Sequence, residues 1–335
     1  MMRQAGRYLP EYRAVRATTD FLTLCKTPEL AAEVTIQPVD LVGVDAAIIF
    51  SDILVIPEAL GMELVVEEGK GGPRFPNPIR TEEQIASLNL DGVEERLRYV
   101  YDAEALTRKN LDGRVPLIGF AGAPWTLATY MIEGGGSRHF AHVKRLLYAC
   151  PDKLHRLLDT VTEAAIRYLR LQVREGGVDI VQIFDTWAGI LAKKDFLAFS
   201  LPYMERIVRE IQAEGVPVIL FPKGATSSLR EIAATGADAI SLDWTVEPAE
   251  ARSLVPDGVA LQGNLDPVLL YADTDTIARA TRDMLQSFGT GPGHIVNLGH
   301  GILPDIPVDH ARAFVRAAKE FSLAPPGTDS HNEKT

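Results

Sequence analysis

The sequence predicts an α/β protein: a (β/α)8 TIM barrel forming a single domain over residues 1–323. Three observations carry this. Seven short apolar runs recur along the chain, amphipathic helical segments separate them, and polar residues cluster just after the runs. A repeated strand–helix unit builds a parallel sheet with helical crossovers.

The runs come in order as AAIIF (46–50), PLIGFA (116–121), VDIVQIFD (178–185), PVILFPK (217–223), DAISLD (238–243), VALQGN (259–264) and HIVNLGH (294–300). None alternates cleanly between apolar and polar, which suits strands buried on both faces. Between them, residues 151–177 start with Pro151 and Asp152 and stop at Gly176 and Gly177. Leu154, Leu157, Leu158, Val161, Ala165, Tyr168 and Leu169 fall on one helical face there. Residues 227–237 and 274–289 repeat the pattern and also stop at glycine. Seven strands and one weaker one fit a closed barrel better than an open doubly wound sheet. The open sheet also loses support because no GxGxxG follows a strand and no GxxxxGK[ST] occurs. Residues 63–75 predict a hairpin inserted after the first strand, and the polar tail 324–335 predicts disorder.

A chain of 335 residues with 46% hydrophobic and 24% charged residues has the balance of a soluble globular protein. No apolar run reaches membrane-spanning length. The N-terminus lacks the basic and apolar regions of a signal peptide, so a cytoplasmic protein is expected. The net charge of −11 argues against a nucleic-acid partner. It also means that an anionic ligand would need positive charge supplied locally by its site. Cys25 and Cys150 are the two cysteines. They make neither a disulfide framework nor a zinc site, and they read as two buried thiols. No metal is expected.

A barrel of this kind carries its chemistry where strands end and loops begin. Ser51-Asp52, Asp185-Thr186-Trp187, Asp243-Trp244, Gly263-Asn264 with Asp266, and His300-Gly301 all occupy such positions. Each has a structural reading beside the functional one. Asp52 caps the next helix or faces the mouth as a carboxylate. His300 is a satisfied buried histidine or a site residue. Thr186 and Asn264 read first as loop formers, and Asp243-Trp244 as a cap with a packing aromatic. Tyr130, on a helical stretch after a strand, reads as core or as site. The glycines 134–136 read as a mobile loop. Arg3 and Arg7 flank Gly6 at the start of the chain. They are solvated surface arginines or a loop that grips carboxylates, since a guanidinium donates two parallel hydrogen bonds and stays charged. Arg13 and Arg16 extend the basic stretch.

The stretches MMRQAGRYLPEYR (1–13) and GFAGAPWTLATYMIEGGG (119–136) resemble the two signatures of the uroporphyrinogen decarboxylase family. FSDIL (50–54), LDWT (242–245), QGNLDP (262–267) and NLGHGI (297–302) are also similar to it, and the resemblance runs from Met1 to about Leu323. It implies a single-domain (β/α)8 barrel, a homodimer, and a haem-biosynthetic enzyme. The implied reaction converts the four acetates of uroporphyrinogen III to methyls, giving coproporphyrinogen III and carbon dioxide, with no metal or organic cofactor. Matched by position, Arg3 and Arg7 would bind substrate carboxylates, and Gln4, Ala5 and Gly6 would complete that loop. Arg16 would be a further arginine near the pocket. Asp52 would sit under the macrocycle centre. Tyr130 and His300 would be the pocket tyrosine and histidine, and Thr186 the small hydroxyl residue. The chain starts inside the first signature, so a piece that steadies the arginine loop is expected to precede Met1.

Three other readings stay open on sequence. Cobalamin-dependent methyltransferases that use zinc need a His/Cys/Cys set, and no cysteine lies near His300. A glycosidase would pair Asp52 with Asp185 or Asp243 and leave the arginines unexplained. A non-catalytic tetrapyrrole-binding protein would carry the same residues.

Overall fold

Each apolar run forms a strand; five strands are shorter than their runs, and β2 and β6 keep the run's length but start and end one residue later. The computed structural model describes residues 1–66, 72–289 and 291–321. The strands are β1 (Ala47–Ile48), β2 (Leu117–Gly122), β3 (Ile180–Asp185), β4 (Val218–Pro222), β5 (Ala239–Ser241), β6 (Ala260–Leu265) and β7 (His294–Leu298). They lie side by side in chain order, and all neighbours are parallel. β4 is buried at all five positions, as a strand covered on both faces must be.

The crossover helices follow the amphipathic pattern. In the helix Pro151–Leu171, the buried face includes all seven of the predicted apolar positions. It runs on through a π-turn to Gly176, and Gly177 ends it in the left-handed conformation. Thr274–Phe288 matches its segment. The helix expected over 227–237 shortens to Leu229–Ala233, because a 3-10 turn at Thr226–Ser228 precedes it.

The two outer strands of the sheet, β1 and β7, are bridged by the start of the chain. Ile302, just after β7, donates its N–H to the carbonyl of Met2 at 3.2 Å. On the other side the Gln4 side chain donates to the Ala46 carbonyl at 2.9 Å and accepts from the Ile48 N–H at 3.3 Å. An amide side chain thus does for β1 what a neighbouring strand's backbone would do. The (β/α)8 barrel predicted from sequence thus appears among the described residues as a parallel sheet of seven strands, curled like a barrel and joined at its ends by the N-terminal arm. Tyr8, Leu9 and Tyr12 of that arm are buried in an apolar cluster with Leu265, Leu298, Ile302 and Phe314. Full burial of a side chain such as Leu9 contributes about 1.5–3 kcal/mol, enough to fix the polar residues beside it.

Two sequence expectations need correction or limits. Cys25 is buried, but Cys150 is exposed. It lies in the turn between the helices Ala141–Ala149 and Pro151–Leu171, where the chain reverses at the surface. The inserted hairpin is seen as one antiparallel bridge between Val65 and Arg74; residues 67–71 of it, and the tail 324–335, lie outside the described residues. No helix among the described residues is long and apolar enough to cross a membrane.

Candidate active site

Asp52 follows β1. Its carboxylate accepts the Leu54 N–H at 2.8 Å as the chain turns into the helix Val55–Ala59. Asp52 is therefore not the helix cap, since Leu54 holds the N-cap position without a side-chain cap bond; it closes the turn before the helix, and that contact uses one carboxylate oxygen. Burial pushes the Asp52 carboxyl up to about 6. The Leu54 N–H and the Arg3 charge pull it down less than burial raises it.

Arg3 comes to this place by an unusual backbone. Its φ is 57°, in the left-handed region. The turn brings its carbonyl so close to Gly6 that a Cβ there would lie 2.8 Å from the oxygen. Gly6 is needed for that reason. The Arg3 side chain passes over Gly301, where a Cβ would lie 2.9 Å from Arg3 Cδ and 3.0 Å from Cγ. The Arg3 charge acts on Asp52, Tyr130 and His300 alike, so these groups share one region.

Tyr130 projects from the helix Pro124–Glu133 and is half-buried, packed against the edge of the main core. Its ring lies 5.9 Å from that of Trp187. Burial, then the Asp52 charge, raises its hydroxyl pKa, so it stays a neutral donor. Trp187 is held by its backbone: its N–H donates to Thr126 Oγ1 and its carbonyl accepts from Trp125 Nε1. Its own Nε1 is buried beside Tyr130 without a well-formed hydrogen bond.

His300 follows β7 and is half-buried, with Nε2 buried and unpartnered. It is not the satisfied histidine of the structural reading. Burial, then the charges of Lys223 and Arg3, lowers its pKa to about 4, while Asp243 opposes them weakly. The imidazole is neutral at pH 7 and can donate from one nitrogen.

The other strand-end residues divide. Asp185 is fully buried and accepts from Thr126 Oγ1 at 2.6 Å and Ser200 Oγ at 2.5 Å. Asp243 accepts from the N–H groups of Gly224 and Thr245. Asn264 donates to the carbonyls of Asp243 and Val246. All three hold neighbouring loops or helix starts, as the structural reading expected of Asn264; Asp243 is tied to the loop at Gly224 and caps no helix. Thr186 is half-buried directly after β3. Trp244 is 40% exposed and so is not a packing aromatic.

Gln4 and Ala5 are buried, Gln4 in bridging to β1. Arg7 is exposed, and its charge acts on Tyr12. Arg16 donates to the Thr19 carbonyl and interacts with Tyr12, whose ring stands 5.6 Å from Phe50 beside Asp52. Sequence reasoning missed Lys223, which ends the run PVILFPK and lies within electrostatic reach of His300. The strand-end rule that selected Asp52 and His300 would also have selected it.

A curled parallel barrel with a strained carboxylate, an arginine and neutral donors at its strand ends defines an enzyme-type site for an anionic ligand. The uroporphyrinogen decarboxylase (URO-D) family model matches residues 1–321, and the chain belongs to that family. The uroporphyrinogen decarboxylase of Chloroherpeton thalassium is 52% identical over 327 residues, covering 96% of this chain and 92% of the relative. That of Cellvibrio japonicus is also 52% identical, covering 96% and 91%. Among solved structures, a methyltransferase from Methanosarcina mazei superposes with a TM-score of 0.77 at 20% identity, covering 92% of this chain and 90% of that one. The putative vitamin-B12-independent methionine synthase of Listeria monocytogenes gives 0.52 at 11% identity, with 92% of each chain covered. These two likenesses concern the fold alone.

Proposed function

We propose that the chain decarboxylates uroporphyrinogen III, converting its four acetate side chains to methyls and releasing coproporphyrinogen III and carbon dioxide. The observation that carries this reading is the convergence of Asp52, Arg3, Tyr130 and His300 on one region at the strand ends.

Loss of carbon dioxide from an acetate leaves an electron pair that needs a sink. A pyrrole can be that sink. Protonation of the ring at carbon makes it cationic, and the electrons of the breaking carbon–carbon bond flow into it. The methylene carbon then takes a proton to become methyl, and the ring proton leaves. Each cycle consumes one proton and one carboxylate and yields one carbon dioxide.

Asp52 is the group that faces the positive charge. Its carboxylate is held ionised against burial, so a ring carrying N–H donors and a growing cation relieves a cost that the free enzyme bears. Arg3 and Arg7 bind substrate carboxylates, with Arg16 behind them against Tyr12, and Gln4, Ala5 and Gly6 shape the loop. Tyr130, Thr186 and His300 donate hydrogen bonds to the remaining carboxylates. Positioning of this kind supplies up to about 7–11 kcal/mol of the barrier reduction. The enzyme is also proposed to be a homodimer, which sedimentation would test.

The test is product analysis after anaerobic incubation with uroporphyrinogen III. Coproporphyrinogen and carbon dioxide should appear together in a ratio of one to four. The Asp52→Ala variant should keep the fold and lose about 100- to 1000-fold in kcat, by analogy with removal of one transition-state stabiliser. Asp52→Glu should retain more activity than Asp52→Ala. Wild-type turnover by Asp52→Ala would refute the central-carboxylate role.

A further inference from the structure

The Lys223 side chain stands at the end of β4 with no assigned task. Its backbone is pinned from both sides. The Lys223 N–H donates to the Asp185 carbonyl at 3.1 Å, and its carbonyl accepts from the Gly189 N–H at 2.9 Å. The ammonium lies over the Trp244 ring, 5.6 Å from its centroid. That distance suits a cation–π contact, which holds the charge at the mouth and not out in solvent. The side chain is half-buried.

No carboxylate pairs with it among the described residues. The acid in the neighbourhood is Asp243, and both of its oxygens already accept hydrogen bonds from the loops they hold. Oδ2 accepts from the Gly224 N–H, and Oδ1 accepts from the Thr245 N–H and hydroxyl. A partly buried ammonium beside a carboxylate already committed elsewhere is an anion site waiting for an anion. Two more donors meet it. Arg3 reaches the same histidine from the N-terminal arm, and His300 itself presents a buried, unpartnered Nε2. The groups facing the imidazole are thus Phe221 from β4, Lys223 just after it, Arg3 from the arm, and Asp243 from the segment after β5.

We propose that Lys223, His300 and Arg3 together form a subsite for one side-chain carboxylate of the substrate, with Lys223 as its anchor on the β4 side of the mouth. This rests on the tetrapyrrole reading above. It adds a binding residue to that reading: the macrocycle is held from β4 as well as from the N-terminal arm. The subsite also fits the neutrality of His300. Burial first, and then the two cations beside the ring, keep it unprotonated, so its Nε2 can be a hydrogen-bond donor without adding a third charge.

The test uses Lys223→Met and Lys223→Arg in the full chain. With uroporphyrinogen under anaerobic conditions, Lys223→Met should raise KM about 10–100-fold, the size of one charge-assisted contact. Its kcat should stay within about threefold of wild type, and Lys223→Arg should recover most of the affinity. In the ligand-free enzyme, NMR titration should show the His300 pKa rising from about 4 in Lys223→Met and staying low in Lys223→Arg. A purely structural lysine would change neither the KM-to-kcat split nor that titration. Unchanged KM in an active, folded Lys223→Met enzyme overturns the proposal. An inactive wild type with the His300 shift intact would instead refute the tetrapyrrole reading. If Lys223→Met fails to fold, Lys223→Gln takes its place under the same criteria.

Discussion

Asp52 shows how a single carboxylate trades stability for chemistry. In the unfolded chain it titrates near 3.8, and in the folded protein burial moves it up to about 6. Between those values the folded state holds more protons than the unfolded state, so stability falls as pH rises through this window. The ionised carboxylate then costs the fold on the order of 2–3 kcal/mol at neutral pH. Asp52→Asn keeps an acceptor for the Leu54 N–H and removes the charge. It should therefore unfold at higher urea than wild type at pH 7, lose that advantage below about pH 4, and fail to turn over. Equal midpoints at pH 7 would mean that the carboxylate is not strained. The same titration predicts an acid limb: kcat/KM should fall about tenfold per unit below pH 6 as Asp52 takes its proton. Asp185 is also raised to about 6, but it is sealed between Thr126 and Ser200. Asp52→Glu distinguishes the two, because it should move the limb only if Asp52 sets it. At this scale the sequence located the candidates without ranking them. Asp52 and Asp243 follow strands and Asn264 lies at the end of β6, and only the folded hydrogen-bond partners tell which keep a face free. Lys223 escaped notice because an isolated lysine is ordinarily solvated surface.

At the scale of elements, the N-terminal arm is both a piece of the sheet and a wall of the site. Gln4 replaces strand pairing on β1, Tyr8 and Leu9 supply the apolar anchor, and Arg3 turns back over Gly301. The glycine at 301 has no left-handed backbone to protect, so its smallness serves the arginine. Gly301→Ala should consequently leave the melting temperature within a few degrees of wild type. It should raise KM severalfold, because the Arg3 side chain must shift away from the new methyl. A variant with normal KM would separate Arg3 from substrate binding. The strand–helix alternation was legible because each crossover helix shows its apolar stripe and each strand its Val/Ile/Leu run. Strand ends were not, since they depend on distant partners. AAIIF promised five strand residues, yet β1 holds two: Ile49 still donates to Ile118, but the Phe50 N–H is taken by Thr35 Oγ1 of the helix Pro28–Val42. The bridging of β1 by a glutamine side chain has no periodicity to betray it.

For the whole molecule, the net charge of −11 and the local cations at the mouth act over different distances. A ligand bearing up to eight carboxylates meets a repulsive field first and attractive contacts last. Screening lengths are about 30 Å at 0.01 M salt and about 8 Å at 0.15 M. Added salt therefore removes the long-range repulsion while leaving more of the contact attraction from half-buried Lys223 than from exposed Arg3. Most enzymes for anionic ligands use positive steering, and their association slows as salt rises. Here the association rate constant for a tetrapyrrole carboxylate should rise between those two salt concentrations. The dissociation rate should rise as well, because the contact pairs are weakened at the same time. Stopped-flow quenching of tryptophan fluorescence by coproporphyrinogen, under anaerobic conditions, measures both rates directly. A steep fall in the association rate would mean that the mouth projects its positive field beyond the acidic surface. Recognition would then begin at long range, and not in the contacts of Arg3, His300 and Lys223.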